Sequence, residues 1–178
     1  NEKLEMAGRQ VLLIGAGGAS AGVLGPLLAT KPERLLVVNR TASKAQSLVL
    51  WHQAWARQHG VELEAAGLDT PAAHLGLGRF DVVIIASASS MAGDVPAIAP
   101  QVLAEGCLAA DLMYGPPALT FLDWARAHGA ARTVDGLGML VEQAAEAFEL
   151  WRGIRPQTPL VLQALRRRLA PQTQGVQP

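Results

Sequence analysis

The sequence predicts an α/β domain: a three-layer, doubly wound, mostly parallel sheet with an added C-terminal helix. Three observations carry that prediction. Short apolar runs alternate with helical stretches along the whole chain. The first run, Val11-Leu12-Leu13-Ile14, passes directly into the glycine cluster Gly15-Ala16-Gly17-Gly18-Ala19-Ser20. Every loop of unusual composition falls at the carboxyl end of a predicted strand: 15–20, 39–44, 87–94, 111–118 and 134–139. In open sheets of this kind, ligands bind outside the carboxyl ends of the strands, where the strand order reverses.

Taken in order, the first strand is expected at about Gln10 to Ile14, after an approach segment ending at Gly8. A helix from about Ala19 to Thr30 follows, with Val23, Leu24, Leu27 and Leu28 on one face. Gly25-Pro26 inside it predicts a kink or an early break. The second strand is Arg34 to Asn39. Thr41 or Ser43 can then cap a long helix reaching about His59, which Gly60 stops. Val61 to Ala66 reads as the third strand, Asp69 to Leu77 as a short helical or irregular crossover, and Asp81 to Ala86 as the fourth strand.

Ser87 to Pro100 reads as a loop and Gln101 to Ala104 as a short helix; the strand Cys107 to Leu112 follows. Leu119 to His128 reads as a helix closed by Gly129, and Arg132 to Val134 as a short strand. From Gly136 the pattern is strongly helical, with Leu140, Val141, Ala144, Ala147, Phe148 and Trp151 on one face and Gly153 at its end. Pro156 and Pro159 frame a turn before a final amphipathic helix, Pro159 to Leu169, and the tail from Pro171 is polar and expected to be loose. The expected organisation is a Rossmann-type nucleotide-binding domain over 1–158, a C-terminal helix over 159–170 and a tail over 171–178.

Composition narrows the function. Half of the 178 residues are hydrophobic and 17% are charged, so a sizeable core is expected and global disorder is not. Fifteen basic and fifteen acidic residues cancel, which argues against a broad nucleic-acid or membrane surface. The cluster Arg166-Arg167-Arg168 reads as the solvated end of a helix. Cys107, the one cysteine, excludes an intrachain disulfide and fits a reducing, cytoplasmic setting. Its strand-like context makes it a small buried residue rather than a nucleophile. His52, His59, His74 and His128 share no metal-ligand spacing and read as surface or boundary residues, so no metal is expected. The opening Asn1-Glu2-Lys3-Leu4 carries no initiator methionine, which predicts a piece of a longer polypeptide.

The glycine turn is the first candidate site. Gly15 and Gly17 permit a tight turn and close backbone approach, and the helix after it points its positive end back at the turn. Such a turn suits an anion, usually a dinucleotide pyrophosphate, although Ser20 stands where the fingerprint has its third glycine. The second candidate decides the cofactor. An NAD site usually has an acid at the end of the second strand, and this chain has Asn39-Arg40-Thr41 with Lys44 one turn on. An arginine there can form a bidentate pair with a 2′-phosphate, whereas a merely solvated cation at a helix start opposes the helix dipole. The reading is NADP.

These residues, in this order, resemble the NADP-binding domain of the shikimate dehydrogenases. The resemblance covers nearly the whole chain. It runs through Gly-Ala-Gly-Gly-Ala-Ser, Asn-Arg-Thr, Phe80-Asp81-Val82-Val83-Ile84, Gly93-Asp94, Asp111-Leu112-Met113-Tyr114 and Thr120-Phe121-Leu122. Its most specific segment is Asp135-Gly136-Leu137-Gly138-Met139-Leu140-Val141-Glu142-Gln143-Ala144.

The resemblance implies reversible NADPH-dependent reduction of 3-dehydroshikimate to shikimate, in aromatic amino-acid biosynthesis. It implies that Gly15, Ala16, Gly17, Gly18 and Ala19 hold the pyrophosphate, with Asn39, Arg40, Thr41 and Lys44 around the adenosine phosphate. Ser87, Leu112, Gly136 and Met139 complete the cofactor set, and Tyr114 and Gln143 reach the substrate. Met139 offers a polarizable side chain to a ring, and Tyr114 and Gln143 suit hydroxyls and a carboxylate.

Two departures stand out. Ile85-Ala86-Ser87 replaces the family's usual Asn-Ala-Thr, and Ser90 stands at an expected glycine. The family's catalytic lysine and aspartate belong to an N-terminal substrate domain that nothing before Val11 can supply, so no catalytic residue is expected here. The expected partners are the small-molecule substrate and that substrate domain. Leu160, Val161, Leu165 and Leu169 on the last helix must bury their face somewhere. That helix is expected to pack on the Rossmann domain or on the substrate domain, or, without that partner, to be mobile or borrow a neighbouring chain as a homodimer. Two other readings are a quinate/shikimate-type paralogue with changed substrate range and a non-catalytic NADP-binding module.

Overall fold

The computed structural model describes residues 4–68, 79–87 and 93–169. The chain forms two compact units, 1–136 and 137–178. In the first, the elements run β1 (Gln10–Ile14), α1 (Gly18–Ala29), β2 (Arg34–Asn39), α2 (Ala42–His59), β3 (Glu62–Gly67), β4 (Phe80–Ile85), β5 (Leu103–Asp111), α3 (Pro116–Ala127) and β6 (Arg132–Asp135). The second holds α4 (Leu137–Arg152) and α5 (Thr158–Leu169).

The six described strands make one sheet in the order β3-β2-β1-β4-β5-β6, and every pairing is parallel. Strand alternation sends neighbouring residues to opposite faces. Val11, Leu13, Leu35 and Val37 pack with Leu24 and Leu28 of α1 and Ala45, Leu48 and Ala56 of α2. Leu12, Ile14, Leu36 and Val38 pack on the other side with Ala118, Phe121, Leu122 and Ala125 of α3. The runs are apolar throughout because both faces are covered, and the result is three layers.

Cys107 belongs to the α3-side core, where burial pushes its thiol up to about 11, so it stays protonated. His52 and His59 sit on α2 and His128 caps the end of α3, each ring Nδ1 within 2.9 Å of the carbonyl four residues earlier. Among the described residues no helix is long and apolar enough to cross a membrane.

Several local expectations are corrected. α1 runs unbroken through Pro26 to Ala29, because Leu24 and Leu28 on either side of it are fully buried and hold the turn in place. The helix expected at Gln101 to Ala104 is a single 3-10 turn, Pro100–Val102, and β5 begins at Leu103. The sequence hides that early start because Ala104-Glu105-Gly106 interrupts the apolar run, and there the register of β5 against β4 shifts, between Phe80 and Val82. α3 begins at Pro116 rather than Leu119, since proline suits a first helical turn. The expected crossover 69–77, Ser90 and the tail lie outside the described residues.

In the second unit the expected face of α4 is only partly buried. Leu137, Val141 and Ala145 form its buried row, whereas Leu140, Phe148 and Trp151 are exposed. Periodicity identifies apolar residues but not which row finds a partner. α5 has no buried residue, and Leu160, Val161 and Leu169 are exposed. Arg155 ties the hairpin together, donating to Glu142 at 3.1 Å and Glu149 at 2.9 Å. A hydrogen bond from Thr158, with Arg155 beside it, holds the Glu142 carboxyl below its usual range.

Candidate cofactor site at the carboxyl edge of the sheet

The strand order reverses at β1. From there the chain builds β2 and β3 to one side, then crosses to β4, β5 and β6 on the other. The glycine turn lies at that reversal. Gly15 is wedged between the two neighbouring strand ends, its N–H donating to Val38 O at 2.7 Å. Its φ is +123°, and a Cβ built on it would lie 2.7 Å from Ala86 O. Only glycine satisfies both constraints.

Gly17 and Gly18 are different. Gly17 occupies the N-cap of α1 with φ −95°, and Gly18 opens the helix. A Cβ on either meets nothing within 4 Å. Neither backbone conformation nor packing among the described residues asks for glycine there. The first turn of α1 has no side-chain cap and no acidic residue, so its N–H groups face a space that two side chains would otherwise fill. That space and those donors fit a pyrophosphate. Behind the turn, Ser20 is fully buried in one row with Leu24 and Leu28. Its Oγ has no hydrogen-bond partner among the described residues.

At the end of β2, Thr41 is the N-cap of α2, but its hydroxyl makes no capping bond, and Ser43 lies inside the first turn. The expected side-chain cap is therefore absent. The Thr41 carbonyl accepts from Lys44 N–H at 3.1 Å and from Asn39 Nδ2 at 3.0 Å, which folds the corner on itself. Arg40 and Lys44 are both exposed, and among the described residues neither forms an ion pair. Two unpaired cations at an uncapped helix N-terminus, with no acid in the first turn, are electrostatically unfavourable until an anion joins them.

The other strand ends close the edge. Ala86 N–H donates to Ile14 O at 2.8 Å, and Leu112 N–H to Ile85 O at 2.9 Å, so Leu112 directly follows β5 and Ser87 lies two residues past the end of β4. Ile85 is fully buried in the α3-side core, which gives its apolar side chain a packing role at the end of β4. Gly136 N–H donates to Met113 O at 2.8 Å. A Cβ on Gly136 would fall 2.0 Å from Leu112 O, so these two predicted cofactor residues are in direct backbone contact.

Tyr114 is 40% exposed at this corner. Gly15 to Ala19, Asn39 to Lys44, Ser87, Leu112, Tyr114 and Gly136 thus share one edge of one sheet. Met139, half-buried in the first turn of α4, and Gln143, exposed one turn later, belong to the second unit.

The sequence motifs contain Asp111 and Asp135 without singling out either one. Asp111 is buried, and its Oδ1 accepts from Met113 N–H at 2.9 Å. Asp135 Oδ2 accepts from Gly115 N–H at 3.3 Å. For Asp111 the available signal is an aspartate two residues before a backbone donor, the pattern of a side-chain-stabilised turn; the Asp135 contact spans 20 residues and has no local signal.

The chain is similar to known proteins over most of its length. A family model described as shikimate / quinate 5-dehydrogenase matches residues 1–93, and one described as the shikimate 5′-dehydrogenase C-terminal domain matches residues 136–166. A shikimate dehydrogenase (NADP(+)) of Paracidovorax citrulli is 56% identical over 169 residues, covering 95% of this chain and 58% of that protein. The chain therefore spans little more than half the length of the curated relatives it matches.

Among solved structures, an Ael1 enzyme from Pseudomonas putida aligns with TM-score 0.78 and 40% identity, covering 90% of this chain and 56% of that one. The ligand-free 5-ketofructose reductase of a Gluconobacter strain aligns with TM-score 0.73 and 28% identity, covering 93% and 58%. With its family model matched over more than half its residues, its fold reproduced in solved relatives and its glycine turn and Asn39-Arg40-Thr41 corner on one sheet edge, the chain belongs to the shikimate / quinate 5-dehydrogenase family.

Proposed function

We propose that this chain is the NADP-binding part of a shikimate dehydrogenase whose full-length form reversibly reduces 3-dehydroshikimate to shikimate. One observation carries the cofactor reading: among the described residues Arg40 and Lys44 stand without an ion pair at an uncapped helix start, at the strand end where an NAD site places an acid. A 2′-phosphate balances those charges, and Arg40 offers it a bidentate fork. The open space at Gly17 and Gly18 suits the pyrophosphate. The dinucleotide supplies the hydride. The chain binds and orients it, with Asn39 and Thr41 at the adenosine phosphate and Ser87, Leu112, Gly136 and Met139 toward the nicotinamide. Tyr114 and Gln143 bind the substrate. The substrate assignment draws on the 56% identical relative, named a shikimate dehydrogenase.

The lysine and aspartate that complete the reaction belong, in this reading, to a substrate domain outside these residues, so the chain alone binds cofactor without turnover. Titration of the chain with NADPH and NADH tests it. NADPH should bind at least about tenfold more tightly than NADH, and Arg40→Asp should remove that preference, since one strong charge-assisted contact is lost and a repulsion added. Equal affinities, or an Arg40→Asp chain that still prefers NADPH, would sink the reading.

A second reading, a paralogue with a changed substrate range, draws on Ile85 and on the 5-ketofructose reductase of like fold. Turnover of shikimate, quinate and 5-ketofructose by the full-length protein separates the two.

A further inference from the structure

Asp111 and Asp135 end β5 and β6 and pair with each other in register. The proposed function gives neither a task. Asp111 is 1% exposed, and a buried carboxylate is tolerated only where donors meet it. The loop 112–115 supplies one such donor. Asp111 Oδ1 accepts from Met113 N–H at 2.9 Å, which holds the peptide plane between Leu112 and Met113. Gly136 N–H donates to Met113 O at 2.8 Å, which holds the plane between Met113 and Tyr114. Asp135 Oδ2 accepts from Gly115 N–H at 3.3 Å, which holds the plane between Tyr114 and Gly115. Both planes flanking Tyr114 are therefore bonded, and with them the direction of its Cα–Cβ bond. The side chain itself is 40% exposed, so packing alone does not hold it. Immediately beyond, Gly115 takes φ +69° and α3 begins, so the loop turns sharply just after the tyrosine.

We propose that Asp111 and Asp135 are positioning residues for Tyr114, a two-carboxylate clamp that aims the chain's only tyrosine from the sheet edge. The clamp gives the proposed substrate contact its preorganisation, and to that extent it rests on the function proposed above. Carboxylates suit the task because they accept more strongly than neutral groups, Asp111 at 2.9 Å and Asp135 more loosely at 3.3 Å. Asparagine at either position keeps an acceptor oxygen, whereas alanine removes it.

Two measurements test the clamp. Amide hydrogen exchange in the isolated chain should rise at least about tenfold at Gly115 in Asp135→Ala and at Met113 in Asp111→Ala, with β1, β2 and β4 unchanged. Asp135→Asn should stay within about threefold of the parent, and the Tyr114 ring resonances should shift in the alanine variants only. In the full-length protein, Asp135→Ala should lower kcat/KM for shikimate at least about tenfold while NADPH affinity stays within about twofold.

Unchanged exchange at Gly115, equal damage from asparagine and alanine, or NADPH affinity falling together with turnover would overturn the clamp. Should the alanine variants fail to fold, Asp135→Asn decides. Near-parent exchange and turnover support the clamp, and loss of either overturns it. Should the full-length parent not oxidise shikimate, the substrate reading fails, while exchange and the tyrosine resonances still judge the clamp.

Discussion

Two pairs of glycines sit within the same edge of the sheet and do opposite things. Gly15 and Gly136 are jammed against backbone, with room for no Cβ beside Ala86 O and Leu112 O. Gly17 and Gly18 border open space and have no conformational need for glycine. The first pair lets strand ends and loops close on one another. The second pair keeps clear the space in front of the α1 N-terminus. One residue type in one motif therefore serves the fold at some positions and a ligand at others, and only the surroundings tell them apart.

Substitutions can break or sharpen that contrast. Gly15→Ala and Gly136→Ala should each cost about 3 kcal/mol or more, since a backbone neighbour must move and Gly15 adds positive-φ strain. Urea unfolding of the two variants checks this, and a midpoint near that of the parent would dissolve the contrast. Gly17→Ala should instead leave stability within about 1 kcal/mol of the parent while weakening NADPH at least about tenfold, as its methyl enters the ligand's space. The same urea curve paired with an NADPH titration separates the two effects, and undiminished affinity would mean that the space is not used.

Ser20, at the third glycine position of the fingerprint, should behave as neither pair does. Its buried hydroxyl has no partner among the described residues, so Ser20→Ala should gain up to about 1 kcal/mol. A loss of that size would reveal a partner for the hydroxyl. The smallest effect comes from the reverse case, a side chain where glycine belongs. Lys31, just past α1, takes φ +56° and is exposed. Lys31→Gly should raise stability by about 0.5 kcal/mol, the relief of left-handed strain less the added freedom of the unfolded chain. Thermal melts of the two proteins side by side would register it.

The glycine turn, the Asn39-Arg40-Thr41 corner and the Asp135 to Ala144 segment were all legible in the chain, because each is a local pattern whose chemistry depends on residue type. The boundaries of β1 and β2 were legible too, since an apolar run covered on both faces has sharp ends. The early start of β5 was not, because Ala104-Glu105-Gly106 interrupts the apolar run while the strand continues. Nor was the capping failure at Thr41, where residue type allows a bond that the hydroxyl does not make. The exposed row of α4 is the same lesson: periodicity names a face without naming its partner.

By itself, then, the sequence determined the doubly wound fold class, the family and the residue types of a phosphate-binding corner. These rest on near-neighbour patterns, which the chain carries whether folded or not. Tertiary structure alone decided which glycines are sterically compelled, that Ile85 packs in the core, and that Asp135 reaches the loop of Tyr114 that Asp111 already holds locally. Those facts depend on distances between residues 20 or more positions apart, and such distances exist only once the strands have paired.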